Sequence, residues 1–205
     1  MFRNRIEAGH QLVPLLEKYK HQNGIVLAVP RGGVPIAYIV ASELQLPLSL
    51  TLTKKIGHPD NEEYAIGAVS LTASYIVPHP DVSEDYIQKT IKKVRSRLAE
   101  MQRLYLGDRA LQPVTGKIVI IIDDGVATGS TLLATIKMLR KEKPEKIVVA
   151  VPVASESAYQ LLQLAADEVI VLQIPEYFFG VGAFYNDFSE VSDEEVIKYM
   201  HKSEK

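Results

Sequence analysis

Seven short runs of β-branched and aliphatic residues punctuate the chain: IVLAV (25–29), LSLTLT (48–53), AIGAVS (65–70), SYIV (74–77), KIVIII (117–122), KIVVAV (146–151) and EVIVL (168–172). Several are apolar throughout instead of alternating, which is how a strand reads when both of its faces are covered. Helical patterns fall between them, at 36–44, 85–106, 131–140 and 156–165. Strand and helix in alternation imply an α/β fold, an open and mainly parallel twisted sheet with helices on both faces.

At 205 residues the chain suits one domain with embellishments, and 1–205 is expected to form a single unit. Its formal net charge of -2 gives no global positive field, so nucleic acid is not an expected partner and any anion site must be local. The absence of cysteine removes disulfides, thiolate nucleophiles and cysteine-ligated zinc, and fits a reducing compartment. No window has the roughly 20 apolar residues that span a bilayer, and the segment MFRNRIEAGHQ has no apolar signal core. A cytoplasmic location without membrane contact is therefore expected.

The segment from Asp85 to Leu106 is the basic exception. Ile87, Ile91, Val94, Leu98, Met101 and Leu104 recur every three or four residues, and Lys89, Lys92, Lys93, Arg95, Arg97 and Arg103 share the remaining surface. This pattern reads as an amphipathic helix beginning near Ser83 and stopping at Gly107, its charges solvated or its arginines contacting phosphate or nucleic acid. An N-terminal helix is expected around residues 5–19. The tail from Gln173 onward is rich in aromatics and carries a capping box at Ser192 and Glu195.

The run VIIIDDGVATGST (119–131) holds the chemistry. In an open α/β sheet, ligands bind outside the carboxyl ends of the strands, and Asp123 and Asp124 fall at such an end. Two adjacent carboxylates there repel each other and lose solvation, so a cation or a ligand's hydroxyl groups must offset them. Gly125 to Ser130 then supplies glycines and small hydroxyls just before a helix, the usual makings of an anion site. A Walker A loop is disfavoured, because three residues separate Gly125 from Gly129 and no lysine follows. The dinucleotide fingerprint, the G-x-S-x-G elbow and H-E-x-x-H are absent, and the histidines have no ligand spacing.

Three further stretches support this reading. The first apolar run ends AVPRGGVP, where Arg31 can fork onto phosphate oxygens and the paired Gly32 and Gly33 let the backbone approach a ligand. After the second run comes TKKIGHPDNEEYAIGAVS, whose Gly57, Pro59, Asp60 and Asn61 mark an irregular loop beside Lys54 and Lys55. The tail QIPEYFFGVGAFYNDF gathers Tyr177, Phe178, Phe179, Phe184, Tyr185 and Phe188, which could stack on a planar ring or seal a small core of their own.

VIIIDDGVATGST resembles the 5-phosphoribosyl 1-diphosphate (PRPP) binding motif of the type I phosphoribosyltransferases. The blocks LAVPRGGVPIA, KKIGHPDNEEYAIGAV and PEYFFGVGAFYNDFSEVSDEEV extend the resemblance over nearly the whole chain, to a subgroup whose acceptor is unassigned. It implies a small hood from the N-terminal segment and about 173–205, with 85–106 as an inserted long helix. Asp123 and Asp124 would then hold the ribose hydroxyls, directly or through Mg2+, and Gly125, Val126, Ala127, Thr128, Gly129, Ser130 and Thr131 would wrap the 5′-phosphate. Arg31, Gly32, Gly33, Lys54 and Lys55 would meet the diphosphate, in a loop that often contains a non-proline cis peptide, with Lys55 closing over it on a mobile segment. Tyr177, Phe178 and Phe179 would face the acceptor. The implied activity is phosphoribosyl transfer to a nitrogen acceptor in nucleotide metabolism, with Asp123, Asp124, Arg31 and Lys55 as its catalytic groups and a homo-oligomer as its form.

One departure stands out. Members acting on 6-oxopurines usually carry an aspartate immediately before the Thr-Gly of this motif, and Ala127 occupies that position here. Hypoxanthine and guanine are thereby disfavoured as acceptors, and adenine-, orotate- and amine-type acceptors stay open. A regulator of the same fold that senses PRPP or nucleotides without catalysis is the alternative, and a phosphohydrolase a more distant one.

Overall fold

A computed structural model describes residues 1–203, apart from the side chain of Glu63; the last two residues of the expected hood range lie outside the described residues. Five strands, β1 (Gly24–Ala28), β2 (Leu48–Leu50), β6 (Ile118–Ile122), β7 (Lys146–Val153) and β8 (Glu168–Gln173), pair in parallel in the order β2-β1-β6-β7-β8. A second, antiparallel sheet holds β3 (Thr53–His58), β4 (Asn61–Ser70) and β5 (Ser74–Ile76).

The uniformly apolar runs are explained by helices on both faces of the parallel sheet. Along β1, β6 and β7, Val26, Ala28, Ile120, Ile122, Val148 and Ala150 point to one side. There they meet α1 (Arg5–Leu16) and α2 (Gly33–Leu44) through residues such as Leu12 and Val40. Their neighbours Ile25, Leu27, Val119, Ile121, Ile147 and Val149 point to the other side. Those pack on α4 (Ser130–Lys141) and α5 (Glu156–Gln163) through Leu132, Ile136 and Leu162. Each fully buried aliphatic side chain contributes about 1.5–3 kcal/mol relative to exposure, so these two cores dominate the stability of the sheet.

The long amphipathic helix is α3 (Glu84–Leu106), capped by Ser83, whose hydroxyl accepts from Tyr86 N, and ending at Gly107. Its amino-terminal half packs Ile87 and Ile91 on Ile56 and Ile66 of the antiparallel sheet, and its carboxyl-terminal half reaches the first core through Leu98, Tyr105 and Leu106. The apolar stripe therefore turns at its end: Tyr105 is buried and the expected Leu104 is exposed. α6 (Asp193–Lys202) begins with the Ser192–Glu195 capping box and closes the same core with Val196 and Met200.

Two expectations are corrected. LSLTLT is not one strand: Leu48–Leu50 belongs to the parallel sheet, the chain departs at Thr51 and Leu52, and Thr53 opens the antiparallel one. The stretch read as an irregular loop is a hairpin, in which Pro59 and Asp60 connect β3 to β4 and register shifts around Gly57 twist the pair. The glycine and proline signals were those of a tight turn and a bulge, which sequence alone does not separate from a longer loop.

Candidate active site

The strand order places the crevice. From β1 the sheet grows toward β2 on one side, and from β6 toward β7 and β8 on the other, so the carboxyl ends of β1 and β6 flank the switch point. Ala28 and Ile122 are register partners, and Val29 N donates to Ile122 O at 2.9 Å. The loop that follows β1 and the acidic pair that follows β6 consequently lie side by side.

Their contact requires glycine twice. A β-carbon on Gly32 would come within 2.0 Å of Asp124 Oδ2, and one on Gly33 within 2.6 Å of Ile122 O and 2.9 Å of Asp123 Cα. The Pro30–Arg31 peptide in this loop is cis, as the resemblance implied.

Burial raises the pKa of both carboxylates, and for Asp123 the neighbouring Asp124 charge adds to it. Asp124 is partly relieved by Arg5, whose Nε and Nη2 donate to its Oδ2 at 2.9 and 2.8 Å. Arg5 also donates from Nη1 to Ser189 O at 2.7 Å and lies 4.0 Å over the Phe188 ring. The Tyr185 hydroxyl donates to Asp124 O at 2.6 Å. The amino-terminal segment and the tail thus grip the acidic pair together, a union fastened by Phe2 N donating to Phe184 O and Asn186 N to Phe2 O, each at 2.8 Å.

The expected phosphate loop follows the pair without interruption. Val126 N donates to Val153 O at 2.9 Å and Ser155 Oγ to Ala127 O at 2.6 Å, which pins the loop against the end of β7. Thr128 and Ser130 hydroxyls lie 2.7 Å apart. Gly129 adopts φ +74° at the start of α4, a left-handed conformation that favours glycine, and no side chain caps that helix. The exposed Ala127, Thr128 and Thr131 therefore lie at the positive end of a helix dipole, where the first amide, Ser130 N, makes only a long 3.5 Å bond to Thr128 Oγ1.

Arg31 reaches across the crevice to the tail, pairing with Glu190 and, at 3.4 Å, with Asp193. Asp193 also accepts from the Tyr105 hydroxyl at 2.6 Å, and burial followed by that bond pushes the Tyr105 pKa up to about 12. A cavity of about 340 Å³ lies between Arg31, Gly32, Asp124, Arg5, Phe188 and Glu190. A second of about 420 Å³ opens on the other side of Arg31, toward Lys54 and α3. A larger cavity of about 620 Å³ adjoins Leu48, Pro113 and Met200; it contains none of the expected charged groups, and the chemistry points to the crevice.

The structure thus brings Arg31, Gly32, Gly33, Asp123, Asp124 and the 125–131 loop to one place, with Lys54 beyond Arg31. Alternation along β3 sends Lys55 to the face opposite Lys54. Tyr177 and Phe179 are exposed, and Phe178 stacks on Phe184 at 5.6 Å. None of these three lines either crevice cavity; the aromatics that do are Phe188, beside Asp124, and Tyr105, beyond Arg31. Sequence reasoning missed Arg5, Tyr105, Glu190 and Asp193. Their partners are 88 to 162 residues away in the chain, and no local spacing marks them.

Comparison with known proteins agrees with this architecture. Residues 6–185 match the family model described as phosphoribosyl transferase domain. The chain is 34% identical over 208 residues to a Mycobacterium tuberculosis H37Rv protein named "Putative phosphoribosyl transferase Rv0571c", covering 99% of this chain and 47% of that one. It therefore spans about half the length of the curated relatives it matches. Over 60 residues it is 42% identical to a ribose-phosphate pyrophosphokinase of Pyrococcus furiosus, covering 28% of this chain and 22% of that protein. Among solved structures, TT1426 of Thermus thermophilus superposes with a TM-score of 0.88 at 36% identity, over 98% of each chain. With its fold, its crevice and its sequence in agreement, this chain belongs to the type I phosphoribosyltransferase family.

Proposed function

We propose that the protein transfers the 5-phosphoribosyl group of PRPP to a nitrogen acceptor, a nucleobase or related amine, with release of diphosphate. The observation that carries this reading is the meeting of three unlike features at one switch point: a desolvated acidic pair, a glycine loop with an arginine, and an uncapped helix start. A sugar that bears hydroxyls, a 5′-phosphate and a diphosphate matches all three. Asp123 and Asp124 take the ribose hydroxyls, the amides and hydroxyls of 125–131 take the 5′-phosphate, and Arg31 with the Gly32 and Gly33 backbone takes the diphosphate.

Mg2+ fits this site as a companion of the substrate. The donors present are carboxylate oxygens, which suit a hard cation. Among the described residues no group of three or more acidic or histidine side chains could hold a metal by itself. Asp123 and Asp124 would therefore bind Mg2+ through ribose oxygens or water, and the ion would supply charge neutralisation of the leaving group.

The nucleophilic nitrogen attacks C1 of the ribose, and the C1–O bond to diphosphate breaks with inversion. Positive charge gathers on the ribose ring as negative charge gathers on the departing diphosphate. The chain's part is positioning and electrostatics: Arg31 and Lys54 stabilise the leaving group, and the acidic pair fixes the ring. Phe188, which lines the crevice with Arg5 over its ring, is the aromatic that a planar acceptor would meet beside Asp124. Ala127 in place of an aspartate disfavours hypoxanthine and guanine and leaves adenine-, orotate- and amine-type acceptors open.

The test is a screen of nucleobases and small amines for acceptor-dependent diphosphate release with PRPP and Mg2+, run beside Asp124→Asn. We expect turnover with one class other than hypoxanthine or guanine and a loss of at least about hundredfold in the variant, the scale of misplacing a reacting group. Undiminished turnover by Asp124→Asn refutes the site. PRPP binding without turnover for any acceptor selects the sensing regulator instead.

A further inference from the structure

The cavity on the far side of Arg31 holds two cations that are unpaired among the described residues. Its walls come from three elements: Pro30 and Arg31 after β1, Lys54 of β3, and Arg97 and Tyr105 of α3. Lys54 and Arg97 make no hydrogen bond or ion pair among the described residues. Lys54 keeps an exposed surface, yet partial desolvation lowers its pKa and repulsion from Arg97 lowers it further. Two carboxylates also border the space. Asp193 is committed to Arg31 and Tyr105, and Glu100 accepts only a long, 3.5 Å bond from Ser96. Two unpaired cations held together beside a third are destabilising unless an anion joins them.

We propose that Arg97 joins Lys54 in an anion subsite that receives the terminal phosphate of a diphosphate whose inner phosphate lies on Arg31. This extends the phosphoribosyltransferase reading and rests on it for the identity of the full ligand. Arg97 is then a specificity-determining residue, separating a sugar diphosphate from a sugar monophosphate. The inserted helix α3 acquires a function: anchored at Ile87, Ile91 and Leu98, it holds the cation in place. The basic face of that helix is resolved into one functional residue, Arg97, and a solvated remainder. Lys89, for example, is spent on Asp85 at 2.7 Å.

Calorimetric titration tests the assignment with two probes, inorganic diphosphate and ribose 5-phosphate, each with Mg2+. Arg97 is exposed and unpaired, so Arg97→Gln is expected to fold normally, and Lys92→Gln on the same helix is the control. We expect Arg97→Gln to weaken diphosphate about tenfold to hundredfold, the loss of a charge-assisted contact, while ribose 5-phosphate binds as before. Arg97→Lys should recover most of that loss, and Lys92→Gln should cause none. Diphosphate binding by Arg97→Gln at native affinity overturns the proposal, as does an equal loss in Lys92→Gln, which would mean diffuse attraction to the helix face. Failure of ribose 5-phosphate to bind any form, with the diphosphate result intact, refutes the ribose cradle and leaves the subsite standing.

Discussion

Two adjacent glycines offer a test in which function and stability separate. A methyl at Gly32 would stand 2.0 Å from Asp124 Oδ2 and 2.6 Å from its Cγ, where ordinary contact begins at 3.4 Å. The backbone angles there, φ -59° and ψ -33°, suit alanine, so the conflict is one of space alone. About 1.4 Å must be found, the difference between those two distances. The obstructing atom is the end of a side chain, so the carboxylate can swing away, abandoning the two hydrogen bonds from Arg5. We expect Gly32→Ala to lose about 1–3 kcal/mol of stability, as for local overpacking. Its binding of PRPP with Mg2+ should fall about hundredfold, the usual effect of a 1 Å misplacement. At Gly33 the obstructing atoms are Ile122 O and Asp123 Cα, backbone atoms at the end of the central strand that cannot step aside. Gly33→Ala should therefore be the less stable of the two, by about 2–4 °C in Tm for each additional kcal/mol. Thermal unfolding and calorimetric titration read both variants. Native affinity in Gly32→Ala, or a Gly33→Ala as stable as Gly32→Ala, would refute the claim that this loop is packed against the acidic pair to hold it in place.

The acidic pair also predicts an opposition between stability and binding. Asp123 has a raised pKa in the fold, so its ionisation costs stability as pH rises from the ordinary value of 3.8 through the raised one. Asp123→Asn should then melt higher than the native protein at neutral pH and lose the native gain on acidification, while PRPP with Mg2+ no longer binds; a lower melting temperature at neutral pH would contradict the desolvation argument. Glu168, at the other end of the sheet, behaves oppositely. Burial disfavours its charge, but hydrogen bonds from Lys146, Lys18 and Tyr19 outweigh this and hold its pKa at about 2. Its contribution is complete above 4.5 and disappears as pH falls through about 2, so Glu168→Gln should flatten the acid limb of the stability profile across that interval.

The parallel sheet was legible because its signal is local. Ile118–Ile122 and Lys146–Val153 are apolar on both faces, and that alone announces coverage by helices on each side. The acidic pair and the glycine-containing loop that follows it were legible for the same reason, since they lie within thirteen consecutive residues. The antiparallel sheet was not, because Leu48–Leu50 and Thr53–His58 belong to different sheets and only two residues separate them. Assignment of Lys54 against Lys55 depended on which face of β3 looks at α3, a question of register that adjacent identical residues cannot answer. Arg5 was beyond reach altogether: its partner is 119 residues distant, and an arginine opening an amphipathic helix looks like any solvated cation. Tertiary pairing made that residue part of the site.

These pairings give the site a symmetry of charge that bears on selectivity. Two of the groups assigned to PRPP, Asp124 and Arg31, already have an opposite charge against them within the fold. Arg5 from the amino-terminal segment sits on Asp124, and Glu190 and Asp193 from the tail sit on Arg31. Both borrowed charges come from segments outside the central sheet, and Phe188 and Ser189 connect them, stacked under Arg5 and accepting from it. A ligand's affinity is therefore the difference between its own contacts and those it displaces. A lone phosphate could compensate Arg31 for its carboxylates but would leave the acidic pair with Arg5. A cation could satisfy the acidic pair but would strand Arg5 and leave Arg31 closed. Only a molecule presenting anionic phosphate on one side and a hydroxyl-bound cation on the other replaces both pairs at once, so the internal ion pairs act against partial ligands and favour the complete one.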